Sequence, residues 1–566
     1  MRGSVSAIVP RVTNPDSCRE WKLRRVIAIA AGVLWAMAFP RFHIAGFAWL
    51  APGLLLASAF GTTPRRAFQL GLLAGATHHL ISLYWLLHMP VTFYPILGWL
   101  ALAFFLALYP ACWVWGCWKL WPGGIDVEPQ ESALSAIKRS TLRLSWRQRM
   151  RWSLLCAACW VTAEMIQSRL FSGFPWNFLG TSQQPLSLLT QIADRTGVYG
   201  VSFLVAWTSV CFLLTVVVLI AAPQSRWRWQ AHMFPPCVAI LSLSCMGWMK
   251  LMAPATPSTI LKVALIQPSV PQTMVWDEGR SVDRFERLLA LSQKAMESRP
   301  DLLVWPEAAL PYPLRYDVQA STAITDLLAG YNTWLCLASD DIVFSQDPSG
   351  HSRTNIYNSA FLLNPRGQIT ATYAKRRLVL FGEYVPLLDW FPFLRLLTPI
   401  SGGFTPGEKR VSFELPDRHV RFAPLICFED AFAMSARDQA QDDVDFLLNL
   451  TNDGWFGESA QQWQHAQNAS FRALENHIPL IRCANNGVTC WVESHGRVLD
   501  IGVGPEGKSI YGEGYRVIEV PLESSTSRRW TVYRRYGDVF GWTLVSLVIL
   551  AALQRRTAKR APQSHR

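Results

Sequence analysis

Between Val26 and Met252 the chain is a succession of apolar runs separated by short basic loops. An apolar stretch of about 20 residues is long enough to cross a bilayer. The runs fall near 26–39, 47–60, 67–88, 96–120, 153–166, 199–222 and 233–252, with a last one at 538–553. Backbone polar groups inside hydrocarbon must be satisfied within the segment itself, which selects helices. About eight transmembrane helices are therefore predicted, the first two short enough to form a tight hairpin of tilted helices.

Formal charge is +13, and a basic balance invites a nucleic-acid reading. The basic residues lie between apolar runs instead: Arg24 and Arg25, Arg65 and Arg66, Lys138 to Arg151, Arg226 and Arg228, and Arg555 to Arg560. This is membrane-flanking charge, so membrane lipids and not nucleic acid are the expected surroundings. With eight spans every basic segment falls on the cytoplasmic side. The plan that follows is a cytoplasmic tail at 1–25, a transmembrane domain at 26–253, a soluble domain at 260–530, a final helix at 538–553 and a basic cytoplasmic tail at 554–566. The soluble domain then faces the periplasm of a bacterial inner membrane, with both termini cytoplasmic. No cleavable signal peptide is expected, because a polar tail precedes the first run and no small-residue cleavage site follows it. The basic insert 122–151 is read as a solvated loop in preference to a basic amphipathic helix in its second half, and Phe174-Pro175-Trp176 as an interfacial aromatic anchor in preference to one wall of a lipid-entry site.

Charged residues make up 16% of the chain, against about 25% in an ordinary soluble protein. The deficit is confined to 26–252, whereas 260–530 alternates short apolar runs with longer mixed ones. Strands are predicted at Lys262–Gln267, Asp301–Trp305, Trp334–Ala338, Ser359–Leu363, Phe422–Cys427 and Asp445–Leu450, and a helix over Val282–Glu297. Strands alternating with helices imply an α/β layered fold. Cys156 and Cys159 form a CxxC inside an apolar run, where two buried thiols are expected and not a redox or metal pair. His78 and His79 are adjacent within a run, and His465 and His477 lack ligand-spaced partners, so no metal site and no cofactor are expected.

Glu307 directly follows a buried strand, Lys375 lies in Tyr373-Ala374-Lys375-Arg376-Arg377, and Cys427 ends a strand. Singly they read as a turn carboxylate, a solvated basic run and an inert core thiol. Together they make a nucleophile and its activators. A thiol near its free pKa is mostly protonated at neutral pH and needs a base. A carboxylate can take that proton, and an ammonium can hold a developing oxyanion and favour the thiolate.

At these residues the sequence resembles the apolipoprotein N-acyltransferase family, a membrane branch of the nitrilase superfamily. The resemblance runs along most of the chain through Phe174-Pro175-Trp176, Ile266-Gln267-Pro268, Trp276-Asp277-Glu278, Trp305-Pro306-Glu307, Asn355-Ile356-Tyr357-Asn358, Phe381-Gly382-Glu383-Tyr384-Val385-Pro386, Ile426-Cys427-Phe428-Glu429, Asn452-Asp453-Gly454-Trp455-Phe456-Gly457, Trp463-Gln464-His465 and Asn485-Asn486-Gly487. It implies an αββα sandwich beside the transmembrane helices. It also implies Glu307 as general base, Lys375 as oxyanion stabiliser and Cys427 as nucleophile, with Glu383, Glu429, Trp276 and Phe428 supporting the site or binding substrate. Phe428 stands where some members carry Tyr. The implied reaction is a ping-pong transfer of an acyl chain from a phospholipid, typically phosphatidylethanolamine, through a Cys thioester to diacylated apolipoproteins. Aromatic segments at Phe391–Phe404 and Trp455-Phe456 would suit a lipid-facing lid. A membrane-tethered nitrilase-type amidase shares the same three residues, and a non-enzymatic lipid-binding protein would need none of them.

Overall fold

The computed structural model describes residues 15–123, 133–224, 226–253, 257–275, 277–346, 352–388, 390–397, 403–441, 443–503, 510–523 and 530–560. Helices occupy Pro15–Met37, Ala51–Ala59, Pro64–Ser82, Tyr94–Lys119, Trp146–Gln167, Val198–Ala221, Arg226–Leu251 and Val539–Arg560. Each overlaps one of the apolar runs. By length and composition, four segments among the described residues are long and apolar enough to cross a membrane: Tyr94–Lys119, Val198–Ala221, Gln230–Leu251 and Val539–Thr557. Among the others, Pro64–Ser82 carries two arginines and two histidines, and Ala51–Ala59 is only 9 residues long, entered through a 3-10 turn at Ala45–Trp49.

The bundle is held by close backbone approach as well as by bulk. Gly71 and Gly75 of Pro64–Ser82 face Ala111 and Ala107 of Tyr94–Lys119. A methyl added at Gly71 would lie 2.6 Å from Ala111 Cα, and one at Gly75 2.9 Å from Ala107 Cα. Small residues spaced a helical turn apart let membrane helices touch in this way. Around that contact, Trp113, Trp152 and Trp160 pack into one buried cluster with Phe39, Leu55 and Val210. Cys156 and Cys159 are buried and unpaired. The insert expected as a solvated loop departs from that expectation: Ala133–Arg143 is a helix, its Ile137 is buried, and Trp121 Nε1 donates to Ser140 Oγ at 2.8 Å. Residues 124–132 of the insert lie outside the described residues.

Beyond the bundle the chain builds two six-stranded sheets. The strands are β1 Thr259–Gln267, β2 Leu302–Val304, β3 Trp334–Gln346, β4 Ser352–Leu363, β5 Ile369–Ala374, β6 Phe413–Leu415, β7 Val420–Ile426, β8 Phe446–Thr451, β9 Leu480–Ala484, β10 Cys490–Val492, β11 Val498–Leu499 and β12 Gly514–Leu522. One sheet runs β12-β1-β2-β3-β4-β5 and the other β11-β10-β9-β8-β7-β6. The alternation of side chains explains the layers. Val263 and Leu265 of β1 and Phe422 and Ile426 of β7 fill the space between the sheets. Ala264 and Ile266 point outward under Ser281–Met296 and Val318–Leu328, while Ala423 and Leu425 point outward under Ala433–Gln439 and Gln461–Asn476. The result is the helix-sheet-sheet-helix sandwich that the family resemblance implies. The central strands β1-β2-β3 and β7-β8-β9 are parallel, and β5 runs the same way as β3 because each pairs antiparallel with β4.

Candidate active site

This topology brings the C-terminal ends of β2, β5 and β7 to one end of the sandwich, and those ends carry Glu307, Lys375 and Cys427. Cys427 follows the last residue of β7 and opens a 3-10 turn, Cys427–Ala431, with its own φ at +50°. A side chain other than glycine rarely adopts that left-handed conformation, and it persists only where the surroundings enforce it. Here Asn449 Nδ2 donates to the Cys427 carbonyl at 2.9 Å and the Ile426 amide donates to Glu429 at 2.9 Å. The strand therefore ends sharply, with the thiol at its tip.

Glu307 is 9% exposed. Its two carboxylate oxygens are held separately: Asn358 Nδ2 donates to Oε1 at 2.8 Å and the Asn452 amide to Oε2 at 3.0 Å. Lys375, 1% exposed, donates to Glu383 Oε1 at 2.6 Å and stands 3.6 Å from Glu307 Oε1. The second separation is too long for a hydrogen bond, so Glu307 keeps room for another proton donor. Burial works against the lysine charge, but Glu383, Glu307 and Cys427 outweigh it and raise its pKa above the ordinary value. Burial and then Glu307 push the Cys427 thiol well above its usual range, while Lys375 and a hydrogen bond from Thr451 pull it back in part. The resting thiol is thus protonated at neutral pH, beside a carboxylate able to accept that proton.

Glu429 does not reach this cluster directly. It receives Tyr373 Oη at 2.9 Å and the amides of Arg376, Arg377 and Ile426 at 2.8, 3.0 and 2.9 Å. It ties the segment that carries Lys375 to the strand that carries Cys427, and burial raises its pKa despite those donors. Glu429→Gln should cost about 2–3 kcal/mol, because an amide nitrogen must then face backbone donors. Thermal unfolding checks this, and an unchanged midpoint would count against the clamp. Phe428 turns away toward the bundle, 5.7 Å from Phe174, 5.8 Å from Trp176 and 5.1 Å from Phe432 between ring centroids. Trp176 is only 2% exposed and donates to Gln464 Oε1 at 2.7 Å, so Phe174-Pro175-Trp176 joins bundle to sandwich where an interfacial anchor was expected. Trp276 lies outside the described residues, as do 398–402 of the expected lid. The remainder of that aromatic segment includes Phe391 and Phe393, both exposed.

Three features escaped the reading of the sequence. Asn358 holds Glu307 and also donates to Glu383 at 3.4 Å. Asp340, across the β3–β4 ladder from it, is lifted to about 6 by burial and by the neighbouring Glu307 and Glu383. Behind Cys427 lies a buried charge cluster: His465 Nε2 is 2.7 Å from Asp430 Oδ1, His465 Nδ1 is 2.8 Å from Asp453 Oδ1, and Arg482 pairs with both aspartates. Asn358, Asp453 and His465 all fall within motifs already singled out, but their spacing in sequence carries no sign of their partners. Among the described residues no group of His, Cys, Asp or Glu has the arrangement of a metal site.

Residues 31–211 match the family described as apolipoprotein N-acyltransferase N-terminal domain, and residues 262–527 match carbon-nitrogen hydrolase. The chain is 34% identical to the apolipoprotein N-acyltransferase of Geobacter metallireducens over 96% of this chain and 98% of that protein. It is 31% identical to the enzyme of that name from Rhodopseudomonas palustris over 96% of each chain. The enzyme of the same name from Bradyrhizobium diazoefficiens is 31% identical over 76% of this chain and 78% of its own length.

Proposed function

Because the chain belongs to the apolipoprotein N-acyltransferase family, we propose that it moves an acyl chain from a phospholipid, through a thioester on Cys427, to the N-terminal amine of the diacylglyceryl-cysteine of apolipoproteins. The observation that carries this is the buried Lys375 between Glu383 and Glu307, beside Cys427, at a seam with an apolar helical bundle.

Glu307 takes the thiol proton as the sulfur attacks the ester carbonyl. Lys375 balances the negative charge that develops on the carbonyl oxygen. The departing glycerol oxygen takes the proton back from Glu307, leaving a thioester and a lysophospholipid. The lipoprotein amine then attacks the thioester carbonyl and gives its proton to Glu307, which returns it to the thiolate. Glu383 holds Lys375 in place and Glu429 sets the spacing of the lysine and cysteine segments. Phe428, Phe174 and Trp176 form an apolar wall that keeps water from the thioester.

The donor is phosphatidylethanolamine, the commonest donor implied by the family resemblance. All eight apolar helices cross a bacterial inner membrane, with 1–25 and 554–566 in the cytoplasm and the 260–530 domain in the periplasm. The basic loops support that orientation, and the docking of the sandwich on the 174–176 segment supports a site at the outer leaflet.

Purified protein given phosphatidylethanolamine without acceptor should carry a hydroxylamine-sensitive acyl group on Cys427 by mass spectrometry. Cys427→Ala and Glu307→Ala should carry none. A folded preparation that stays unacylated in the presence of lipid, yet releases ammonia from small amides, would replace this reading with the amidase.

A further inference from the structure

Away from Cys427 the seam between bundle and sandwich encloses a cavity of about 140 Å³. Arg169, Tyr199 and Asp538 line it from the bundle, and Arg377, Phe432 and Arg472 from the sandwich. The bundle residues sit at helix ends: Arg169 just past Trp146–Gln167, Tyr199 in the first turn of Val198–Ala221, and Asp538 just ahead of Val539–Arg560. The cavity therefore lies where apolar helices give way to polar chain, the level at which lipid head groups are found.

Its charge is unbalanced. Three guanidinium groups face one lining carboxylate. Asp538 is taken by Arg169, and Tyr533 Oη donates to its other oxygen at 2.9 Å. Arg472 is engaged within the sandwich: Nη2 donates to Glu475 Oε1 at 3.1 Å, Nε stands 3.0 Å from Glu475 Oε2, and Nη1 donates to the Ala431 carbonyl at 3.0 Å. Arg377 has no carboxylate partner among the described residues, and its guanidinium rests over the Phe432 ring, 5.4 Å from the centroid. An uncompensated cation in a half-buried site is costly unless an anion joins it. A planar guanidinium fork matches phosphate oxygens in particular. The remaining wall, with Phe432, Phe178 and Met434, suits the apolar side of a lipid.

We propose that this cavity holds the phosphodiester of a membrane phospholipid, with Arg377 on its oxygens. The proposal rests on the acyl-transfer reading only in taking that lipid to be the acyl donor. Phe432 packs on Phe428, the residue after Cys427, so a head group bound here lies one aromatic layer from the nucleophile.

Binding is measured on the full chain carrying Cys427→Ala, which has no thiol to acylate, by native mass spectrometry with phosphatidylethanolamine and with diacylglycerol of the same chains. Adding Arg377→Gln should weaken phosphatidylethanolamine binding about tenfold and leave diacylglycerol binding unchanged. Equal affinity for phosphatidylethanolamine with and without Arg377→Gln would overturn the proposal. So would a loss shared by diacylglycerol, which would mean that Arg377 only shapes the seam. Inorganic phosphate binding as strongly as the phospholipid, and lost with Arg377→Gln, would overturn the lipid assignment in favour of a free anion. Because these variants cannot be acylated, an inactive protein with otherwise intact Cys427 would sink the acyl-transfer reading while leaving this site standing.

Discussion

Glu307→Gln should slow acylation of Cys427 by about 10²–10⁴-fold, the usual contribution of a general base, while the thiol itself becomes easier to ionise. The two effects run in opposite directions because Glu307 acts on Cys427 twice. In the proposed reaction it accepts the thiol proton, and its negative charge, second only to burial, keeps the thiol pKa high. Glutamine keeps the shape and can still accept from Asn358 or the Asn452 amide, so the fold should survive. The two readouts are thioester formation with phospholipid and the pH at which iodoacetamide labelling of Cys427 reaches half its limit. A slower acylation with a lower labelling midpoint is the expected pair. Loss of acylation with an unchanged or higher midpoint would mean that Glu307 does not face the thiol as an ionised base.

His465→Ala should be the most damaging change outside the cluster around Cys427, at about 3–5 kcal/mol, the cost of breaking a buried ion pair. His465, Asp430, Asp453 and Arg482 are each no more than 1% exposed. Without the imidazolium, two buried carboxylates share one guanidinium. Both belong to loops that matter: Asp430 lies in the turn opened by Cys427, and Asp453 follows the Asn452 amide that holds Glu307. The neighbouring Gln464 accepts from Trp85 and Trp176 and donates to the Pro40 carbonyl, so the same helix docks the sandwich on the bundle.

The pH dependence of stability follows from the direction of the shift. Burial opposes the charge on His465, yet Asp430 and Asp453 raise it from 6.5 to about 9. A pKa raised on folding gives stability that is fully present below 6.5 and lost as pH rises through about 9. Its size is on the order of 3 kcal/mol. Thermal unfolding in detergent between those limits should fall with pH for the wild type and flatten for His465→Ala. Parallel slopes in the two proteins would exclude His465 as the group responsible.

Much of this architecture is legible in the chain because its signals are local. A run of apolar residues meets hydrocarbon or a core wherever it sits, and the seven runs before Met252 each became a helix. The strands β1, β2, β7 and β8 are largely buried, so each reads as a mostly apolar run with few polar interruptions. Glu307 and Cys427 stand out because each closely follows such a strand, whereas Lys375 follows the mostly half-buried β5 and stands out only in their company. The outer strands were harder to see: β6, β10 and β11 are 3, 3 and 2 residues long, and β12 completes its sheet by pairing with β1 from the far end of the domain.

What the sequence determined by itself is the division into an apolar basic-flanked bundle and a mixed α/β domain, and which side chains are chemically able to act. What only the tertiary structure decided is their company. Glu307 is aimed by Asn358 and by an amide 145 residues away, Lys375 and Cys427 are spaced by Glu429, and Trp176 is buried against the sandwich. These contacts join loops from different sheets and from the bundle. Hydrogen bonds and ion pairs act over a few ångströms in space whatever the distance along the chain, so no local pattern of residues records them.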